Sequence, residues 1–308
     1  MSESFRKFII FYGWTYAIPL ALSLTLAFYP NVFFPLHGGP FKFVDLLQNT
    51  IASSGVTLRG GALIPLLSAV SSEPVLLIAA MGSIIPALVA VIVTYKFNGG
   101  AGVKELLARL RPWIGVGTRS GLRTWMLLMV SVFALQLVVF ATQSMTAGIF
   151  GWTVKFNPSL QTSHAVFFLL EAYFLNQGGL LEEMGFRGFA LPALQNVMSP
   201  IKAALFLGTC WALWHVSRDI LFQTPAQMGW GAYLLAFMPL FIVWCVGGSI
   251  IMAYFVNRTG GSVLAAIAVH GFLNDGALVS GVVEGGNPAG ALIVRSTIVG
   301  LAGLFVFL

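Results

Sequence analysis

The sequence predicts an all-α fold, a polytopic membrane bundle of about eight transmembrane helices. Of its 308 residues, 58% are hydrophobic and only 8% are charged, and the mean hydropathy is +0.90. A typical soluble domain carries roughly a quarter charged residues. Sixteen Lys and Arg with ten Asp and Glu are too few to cover a water-soluble body of this size. The composition therefore excludes a soluble globular enzyme and a disordered chain.

Eight segments are long and apolar enough to cross a bilayer, since a transmembrane helix needs about 20 consecutive, mostly apolar residues. They are 8–29, 75–95, 122–145, 168–196, 200–222, 230–256, 261–282 and 289–308. The first follows Arg6 and Lys7, as the apolar region of a signal peptide would. It is longer than the roughly 7–15 residues typical of such a region, so we expect a retained first span.

Basic residues in the loops predict the orientation, because Lys and Arg concentrate on the cytoplasmic side. With the N-terminus inside, eleven basic residues fall on the inner side and four on the outer side. The inner residues are Arg6, Lys7, Lys96, Lys104, Arg109, Arg111, Arg119, Arg123, Arg187, Lys202 and Arg258, and the outer ones are Lys42, Arg59, Lys155 and Arg218. The prediction is an integral protein of a prokaryotic cytoplasmic membrane with its N-terminus inside. The net charge of +6 then reflects loop charge, and lipid rather than nucleic acid is the predicted partner.

A short basic segment at 102–113 is predicted to form a helix on the inner membrane surface. Val103, Leu106, Leu107 and Leu110 share one helical face and basic residues occupy the rest, a pattern typical of interfacial amphipathic helices. The alternative is a plain basic connector between two spans.

The whole chain, 1–308, is predicted to be a single membrane domain. Neither an internal repeat nor a low-complexity tract divides it. Within it we expect N-terminal helices at 1–145, with a long outer segment at 30–74, and a catalytic core at about 165–282.

Three groups of polar residues lie inside apolar segments of the second half of the chain. They are Glu182-Glu183 with Arg187, Trp211 with His215, and His270 with Asn274. A charge within the bilayer costs several kcal/mol unless it faces a protein or water-filled interior, so these residues are candidates for a functional site.

The spacing within the first group separates its two glutamates. Glu183 and Arg187 stand at i and i+4, one above the other on a helix, so they can form an ion pair with a structural role. Glu182 points about 100° away around the helix and cannot easily share that partner. It therefore needs a different reason to be there.

The third group suits stabilisation of an oxyanion. His270 and Asn274 are also i and i+4, and an imidazole and a carboxamide on one face can donate two hydrogen bonds to one oxygen. For a single histidine, His270 or His215, the plain alternative is an interhelical hydrogen bond worth about 1 kcal/mol. Three such groups on three helices weaken that alternative.

Three kinds of chemistry remain open for these residues. A glutamate with a histidine can activate water for attack on a carbonyl. Two histidines and a carboxylate, here His215, His270 and Glu182, can hold a catalytic zinc. A proton or ion pathway would also use buried glutamate and histidine. Asn274 on the His270 face suits an oxyanion better than zinc, and no HExxH motif is present.

Three further acids lie in or near predicted spans. Glu171 precedes Glu182 by three helical turns and would share nearly the same face of one continuous helix, at the outer end of a cavity. Asp275 either orients His270 or pairs with a neighbouring helix. The sequence assigns no role to Asp219.

At these residues the sequence resembles the CAAX protease and bacteriocin-processing family of intramembrane proteases, also called the Abi family. That family is marked by EExxxR, FxxxH and HxxxN or HxxxD motifs on three successive functional helices. Glu182-Glu183 with Arg187 and His270 with Asn274 match the first and third motifs. In the second motif Trp211 replaces the usual Phe before His215, an exchange expected to preserve packing.

The resemblance implies a glutamate-dependent endopeptidase with a cavity open toward the cytoplasmic side. Glu182 and His215 would activate the water, and His270 with Asn274 would form the oxyanion hole. Glu183 and Arg187 occupy motif positions with a supporting role. The glutamate mechanism requires no cofactor, although it does not exclude zinc.

The predicted function is therefore hydrolysis of a peptide bond within the bilayer, in prenylated or other hydrophobic C-terminal segments. One alternative is a non-catalytic membrane scaffold, or a bacteriocin-immunity or signalling protein of the same fold. Another is a transporter with a buried proton relay, which the lack of inverted repeats weakens. The sequence leaves the physiological substrate, the need for prenylation and the oligomeric state open.

Overall fold

The computed structural model describes residues 2–28, 67, 70–71, 77–156, 165–221, 224–276, 281–284 and 288–307. It confirms the all-α prediction, with one short two-stranded ribbon added. The α-helices are α1 (Glu3–Phe28), α2 (Leu77–Ala108), α3 (Thr118–Met145), α4 (Ala147–Phe150), α5 (Ala165–Phe174), α6 (Gln177–Glu183), α7 (Leu191–Gln195), α8 (Pro200–Leu221), α9 (Thr224–Met228), α10 (Trp230–Ala232), α11 (Met238–Arg258), α12 (Val263–Asp275) and α13 (Pro288–Phe307). Two π-helical segments, Met184–Ala190 and Tyr233–Phe237, precede α7 and α11.

Four helices in the described residues are long and apolar enough to cross a membrane. They are Glu3–Thr25, Gly82–Ala108, Thr118–Met145 and Trp230–Arg258, and they correspond to the predicted spans at 8–29, 75–95, 122–145 and 230–256. The last span, at 289–308, corresponds to a shorter apolar helix, Gly290–Val306. A helical membrane bundle is confirmed in this way, whereas the count of eight spans is not. The predicted outer segment at 30–74 lies almost wholly outside the described residues.

The predicted span at 168–196 is wrong as a single continuous helix. α5 ends at Phe174, and α6 begins at Gln177 after Asn176 has adopted an extended backbone as the N-cap. An N-cap side chain accepts a hydrogen bond from an otherwise unpaired N–H of the first turn, which stabilises a new helix start. Because the helix is interrupted, the expectation that Glu171 shares a continuous face with Glu182 does not hold.

The predicted span at 261–282 is also too long. α12 ends at Asp275, and Gly281–Glu284 form a strand, β2, that pairs antiparallel with β1 (Thr153–Phe156). Nearly every residue of α12 is buried within the protein. An apolar helix of 13 residues that is surrounded by protein is typical of a core helix rather than of a complete span.

The basic segment at 102–113 is helical only in its first part. α2 is kinked at Gly99, where φ is +64°, and the helix beyond the kink ends at Ala108. The following turn directs its carbonyls to the N-terminal end of α12: Arg109 O accepts from Val263 N at 2.8 Å, and Arg111 O accepts from the hydroxyl of the N-cap residue Ser262 at 2.6 Å. These bonds replace further helical turns, so the predicted helix end at 113 is wrong. Its position on the membrane surface stays a prediction.

The bundle buries polar side chains and exposes apolar ones. Glu183 and Arg187 are fully buried, while Leu235, Phe305 and Ile149 are 83%, 80% and 78% exposed. Such extensive apolar exposure is unfavourable in water and expected against lipid tails. This distribution fits an integral membrane protein.

The packing of α11 against α13 depends on a glycine. A methyl group on Gly247 would overlap the Val299 carbonyl, whereas one on Gly248 would meet Leu273 Cδ1 at 3.4 Å, an ordinary contact. We expect Gly247→Ala to lower the free energy of unfolding by about 1–3 kcal/mol through overpacking. The matched control, Gly248→Ala, should not destabilise, since alanine favours a helix over glycine by about 0.5–1 kcal/mol. Thermal unfolding in detergent measures both, and equal midpoints would contradict the prediction.

Candidate active site

The first polar group lies where a short helix widens into a π-helix. α6 holds Glu182 and Glu183 in its last turn, and the π-helical segment Met184–Ala190 carries Arg187. π-helical turns are rare and are frequent at functional sites, because they re-aim side chains relative to a regular helix. The interruption before α6 and the widening after it thus place both glutamates on a short, separately oriented helix.

The ion pair expected from the spacing of the first group is present and has a third member. Arg187 Nη1 lies 2.8 Å from Glu183 Oε1, and both side chains are fully buried. The same oxygen lies 2.7 Å from His270 Nδ1. Glu183 therefore ties α6 to α12 and orients the His270 ring, the role that the sequence suggested for Asp275. With Nδ1 engaged, the ring nitrogen that can act in the site is Nε2.

Glu182 has a different partner, as expected. The indole nitrogen of Trp211 donates a hydrogen bond to Glu182 Oε2 at 3.0 Å. From the sequence, Trp211 is expected only to preserve packing, and a phenylalanine at this position could not make this bond. Glu182 is 4% exposed, so the bond is made away from solvent and one of its two oxygens, Oε1, is left for other contacts.

His215 is held by its own helix. Its Nδ1 lies 2.8 Å from the carbonyl oxygen of Trp211, so this nitrogen carries the proton and donates it, and Nε2 is the nitrogen left for chemistry. Its ring meets the edge of the Trp211 ring, with the ring centroids 5.4 Å apart. No hydrogen bond joins His215 to Glu182 within the described residues, and the two are linked through Trp211.

Asn176 is a site residue that sequence analysis missed. Its Oδ1 caps α6 by accepting from Gly179 N at 2.9 Å and also accepts from Asn274 Nδ2 at 3.2 Å. Its Nδ2 donates to Asp275 Oδ2 at 2.7 Å. Asp275 thus pairs with a neighbouring helix, one of its two expected roles. Asparagine is one of the residues that favour the N-cap position of a helix, and this preference could have identified the cap.

Polar atoms of three site residues surround a small space beside Gly178. A Cβ atom on Gly178 would lie 3.0 Å from His270 Nε2, 3.2 Å from Glu182 Oε1 and 3.3 Å from Asn176 Oδ1. A donor or acceptor nitrogen, a carboxylate oxygen and an amide oxygen therefore face the side of α6 that has no side chain. Such a set of polar atoms can bind a water molecule, which donates to the two oxygens.

A methyl group in this space should impair the site. We expect Gly178→Ala to lower kcat by about 10- to 100-fold, because small displacements of reacting groups carry penalties of that size. Gly188→Ala is the matched control, since the three atoms nearest to its methyl would belong to the apolar side chains of Val263, Leu106 and Met184, at 3.0–3.3 Å. Cleavage rates of both variants in lipid, normalised to folded protein, measure the difference. A Gly178→Ala enzyme as active as Gly188→Ala would contradict this assignment.

The zinc set considered from the sequence is not assembled in the described part of the chain. No three His, Cys, Asp or Glu side chains there are arranged to hold a metal ion. His270 directs one nitrogen to Glu183, while Glu182 accepts from an indole. Asp219 lies apart from this chemistry, bound by Arg218 Nη2 at 2.9 Å and by the Tyr233 hydroxyl at 2.9 Å.

Comparison with known proteins gives the same family. Residues 162–275 match the family model described as type II CAAX prenyl endopeptidase Rce1-like. The resemblance is confirmed. The matched segment contains all three motifs and ends at Asp275, so the Rce1-like match covers the site and not the N-terminal helices.

A curated relative points to the same Rce1-like proteases. The chain is 28% identical over 100 residues to a protein of Methanococcus maripaludis named CAAX prenyl protease 2. The aligned part is 30% of this chain and 34% of the relative, so the chain spans about a third of the length of that relative.

Proposed function

We propose that this protein is an intramembrane endopeptidase that hydrolyses a peptide bond with water activated by glutamate and histidine. One observation carries the proposal: Glu182 Oε1 and His270 Nε2 face the same small space beside Gly178, inside a bundle whose outer surface is apolar. Burying a carboxylate in a membrane is costly, so an intramembrane glutamate is by default a candidate functional residue. The match of the same residues to a family of endopeptidases supports the peptide-bond hydrolysis in this proposal.

In the proposed mechanism, Glu182 and His215 polarise a water molecule. As the water oxygen attacks the carbonyl carbon of the scissile bond, its proton passes to the Glu182 carboxylate. His270 and Asn274 donate hydrogen bonds to the oxyanion of the tetrahedral intermediate. When the C–N bond breaks, the proton is returned to the leaving amine, and the glutamate is again a carboxylate.

The structure adds a requirement to the role of His270. Its Nδ1 already lies on Glu183, so Nε2 donates to an oxyanion only when the ring carries both protons. Glu183 and Arg187 act as supporting residues, because they hold this ring beside Gly178. Asn176 supports Asn274 in the same way, through the 3.2 Å hydrogen bond between their amides.

The proposed substrates are prenylated or other hydrophobic C-terminal peptide segments. The helices that surround the site carry large exposed apolar side chains, such as Leu170 and Leu213 at 50% and 41% exposure. A substrate that partitions into lipid can approach such a surface without crossing water. The relative named CAAX prenyl protease 2 is consistent with this class. The proposed location is a cytoplasmic membrane, with the N-terminus inside.

The proposal is tested with the purified chain reconstituted in lipid and a farnesylated peptide that ends in a CAAX sequence. Mass spectrometry should detect loss of the three residues that follow the prenylated cysteine, with little or no product from the same peptide without the farnesyl group. Cleavage of unprenylated hydrophobic peptides instead would contradict the proposed substrate class and support the proposed peptidase activity. Folded protein that cleaves no peptide of either kind would favour the scaffold alternative.

A further inference from the structure

Trp211 contacts four residues of the candidate site, although its position in the second motif suggests only a packing role. Its indole nitrogen donates to Glu182 Oε2 at 3.0 Å, and its carbonyl oxygen accepts from His215 Nδ1 at 2.8 Å. Its ring meets the His270 ring edge-on at 4.9 Å, and the Arg187 guanidinium carbon lies 4.5 Å from its ring centroid. One fully buried side chain thus touches both histidines and two of the three charged groups of the first motif, Glu182 and Arg187.

The hydrogen bond to Glu182 distinguishes the two carboxylate oxygens. Oε2 accepts from the indole, and Oε1 faces the space beside Gly178. A carboxylate without this bond could rotate about its last torsion, which is broad for glutamate, and present either oxygen or neither. The indole N–H has no acceptor role and a fixed direction in its ring, so it selects one orientation.

The ring face also stabilises the supporting ion pair. Arg187 Nε and Nη2 are buried without a hydrogen-bond partner among the described residues. A guanidinium over an indole face gains an electrostatic attraction that is strongest where water is excluded. The attraction to the Trp211 ring thus offsets part of the cost of burying the Arg187 guanidinium. Arg187 pairs with Glu183, and Glu183 in turn orients the His270 ring.

We infer that Trp211 is the positioning residue of the site, whose indole N–H holds Glu182 Oε2 so that Oε1 is aimed at the substrate space beside Gly178. The expected effect of Trp211 on the rate rests on the proposed function, whereas its hydrogen bond to Glu182 rests on geometry alone. Trp211 does not touch the reacting atoms, and its effect is exerted through Glu182.

The experiment replaces Trp211 with β-(3-benzothienyl)alanine, which keeps the shape of the ring system and lacks the N–H, and in parallel with phenylalanine. Loss of one hydrogen bond to a charged group should lower kcat by about 10- to 100-fold with little change in KM. Trp214→Phe is the matched control. It removes an indole hydrogen bond of the same 3.0 Å length from the same helix, to the backbone carbonyl of Thr15, and keeps an aromatic ring beside His215. Its kcat should remain near the wild-type value.

A spectroscopic readout separates this inference from the proposed function. The infrared carboxyl band that disappears in Glu182→Gln is assigned to Glu182, and the benzothienyl variant should shift that band while Trp214→Phe leaves it in place. A shifted band in a protein that cleaves nothing would support the hydrogen bond and refute the peptidase. An active protein whose kcat is unchanged by the benzothienyl residue would overturn the positioning role, and an unshifted band would overturn the hydrogen bond.

Discussion

Glu182→Gln is expected to lower kcat for peptide cleavage by about 10²- to 10⁴-fold, the usual contribution of a general base. Glutamine has nearly the same shape and can still accept from the Trp211 indole, but it cannot take a proton from water. KM should change little, because the substituted group acts on the water and not on binding of the peptide. Steady-state rates in lipid, followed by mass spectrometry of the product, measure both constants.

The matched control for this substitution is Glu171→Gln. Glu171 is also buried, at 4% exposure, and it lies on α5, before the helix interruption at Asn176. Removing this second carboxylate tests whether any loss of buried charge reduces the rate. Equal losses in the two variants would show that the effect of Glu182→Gln is not specific to the site.

The second large expected effect is on stability. Arg187→Met should lower the free energy of unfolding by about 3–5 kcal/mol, because it removes the arginine that pairs with the buried Glu183 carboxylate. Both side chains of the 2.8 Å pair are fully buried, so neither can regain hydration when the other is removed. The double substitution of Glu183→Gln with Arg187→Met should destabilise less than Arg187→Met alone, since no uncompensated charge then remains.

A pair of the same spacing on the surface provides the control. Lys7 and Glu3 are also i and i+4, at 2.7 Å, but the Glu3 side chain is 73% exposed. Glu3→Gln should leave the unfolding midpoint unchanged, because exposed ion pairs contribute little. Denaturant titration in mixed micelles measures the wild type and all three variants. An Arg187→Met midpoint equal to that of Glu3→Gln would contradict a structural role for the buried pair.

The parts of the site that sequence could predict are those set by local helical spacing. Glu183 and Arg187 are four positions apart, and this spacing on a helix brings their side chains together whatever surrounds them. The same helical geometry predicted that Glu182 points away from this ion pair and has a different partner. Composition likewise predicted a helical membrane bundle, because so few charges cannot cover a soluble surface.

The parts that sequence could not predict depend on contacts between distant segments. The partner of His270 is Glu183, 87 residues earlier, and the partner of Asn274 is Asn176, 98 residues earlier. A motif that calls for an aromatic residue does not specify how its ring is oriented, so the hydrogen bond from the Trp211 indole N–H to Glu182 could not be predicted. One asparagine in a long apolar run hardly changes its hydropathy, so the start of a new helix at Asn176 was missed as well.

The number of spans was overestimated for a related reason. Hydropathy measures apolar character and does not distinguish a helix that faces lipid from one that faces protein. α12 is apolar because it is packed on every side within the bundle. The helices that qualify as spans instead keep large exposed apolar residues, such as Val130 of α3 at 67% exposure.

The central claim is that this chain itself hydrolyses a peptide bond with water activated at Glu182. The most direct test incubates purified wild-type protein and Glu182→Gln, each reconstituted in lipid, with a farnesylated CAAX peptide in ¹⁸O-labelled water. We expect the wild type to yield a shortened peptide that carries one ¹⁸O atom in its new carboxylate, and Glu182→Gln to yield almost none. Labelled product formed equally by both proteins, or no product from folded wild type with any hydrophobic peptide, would contradict the claim.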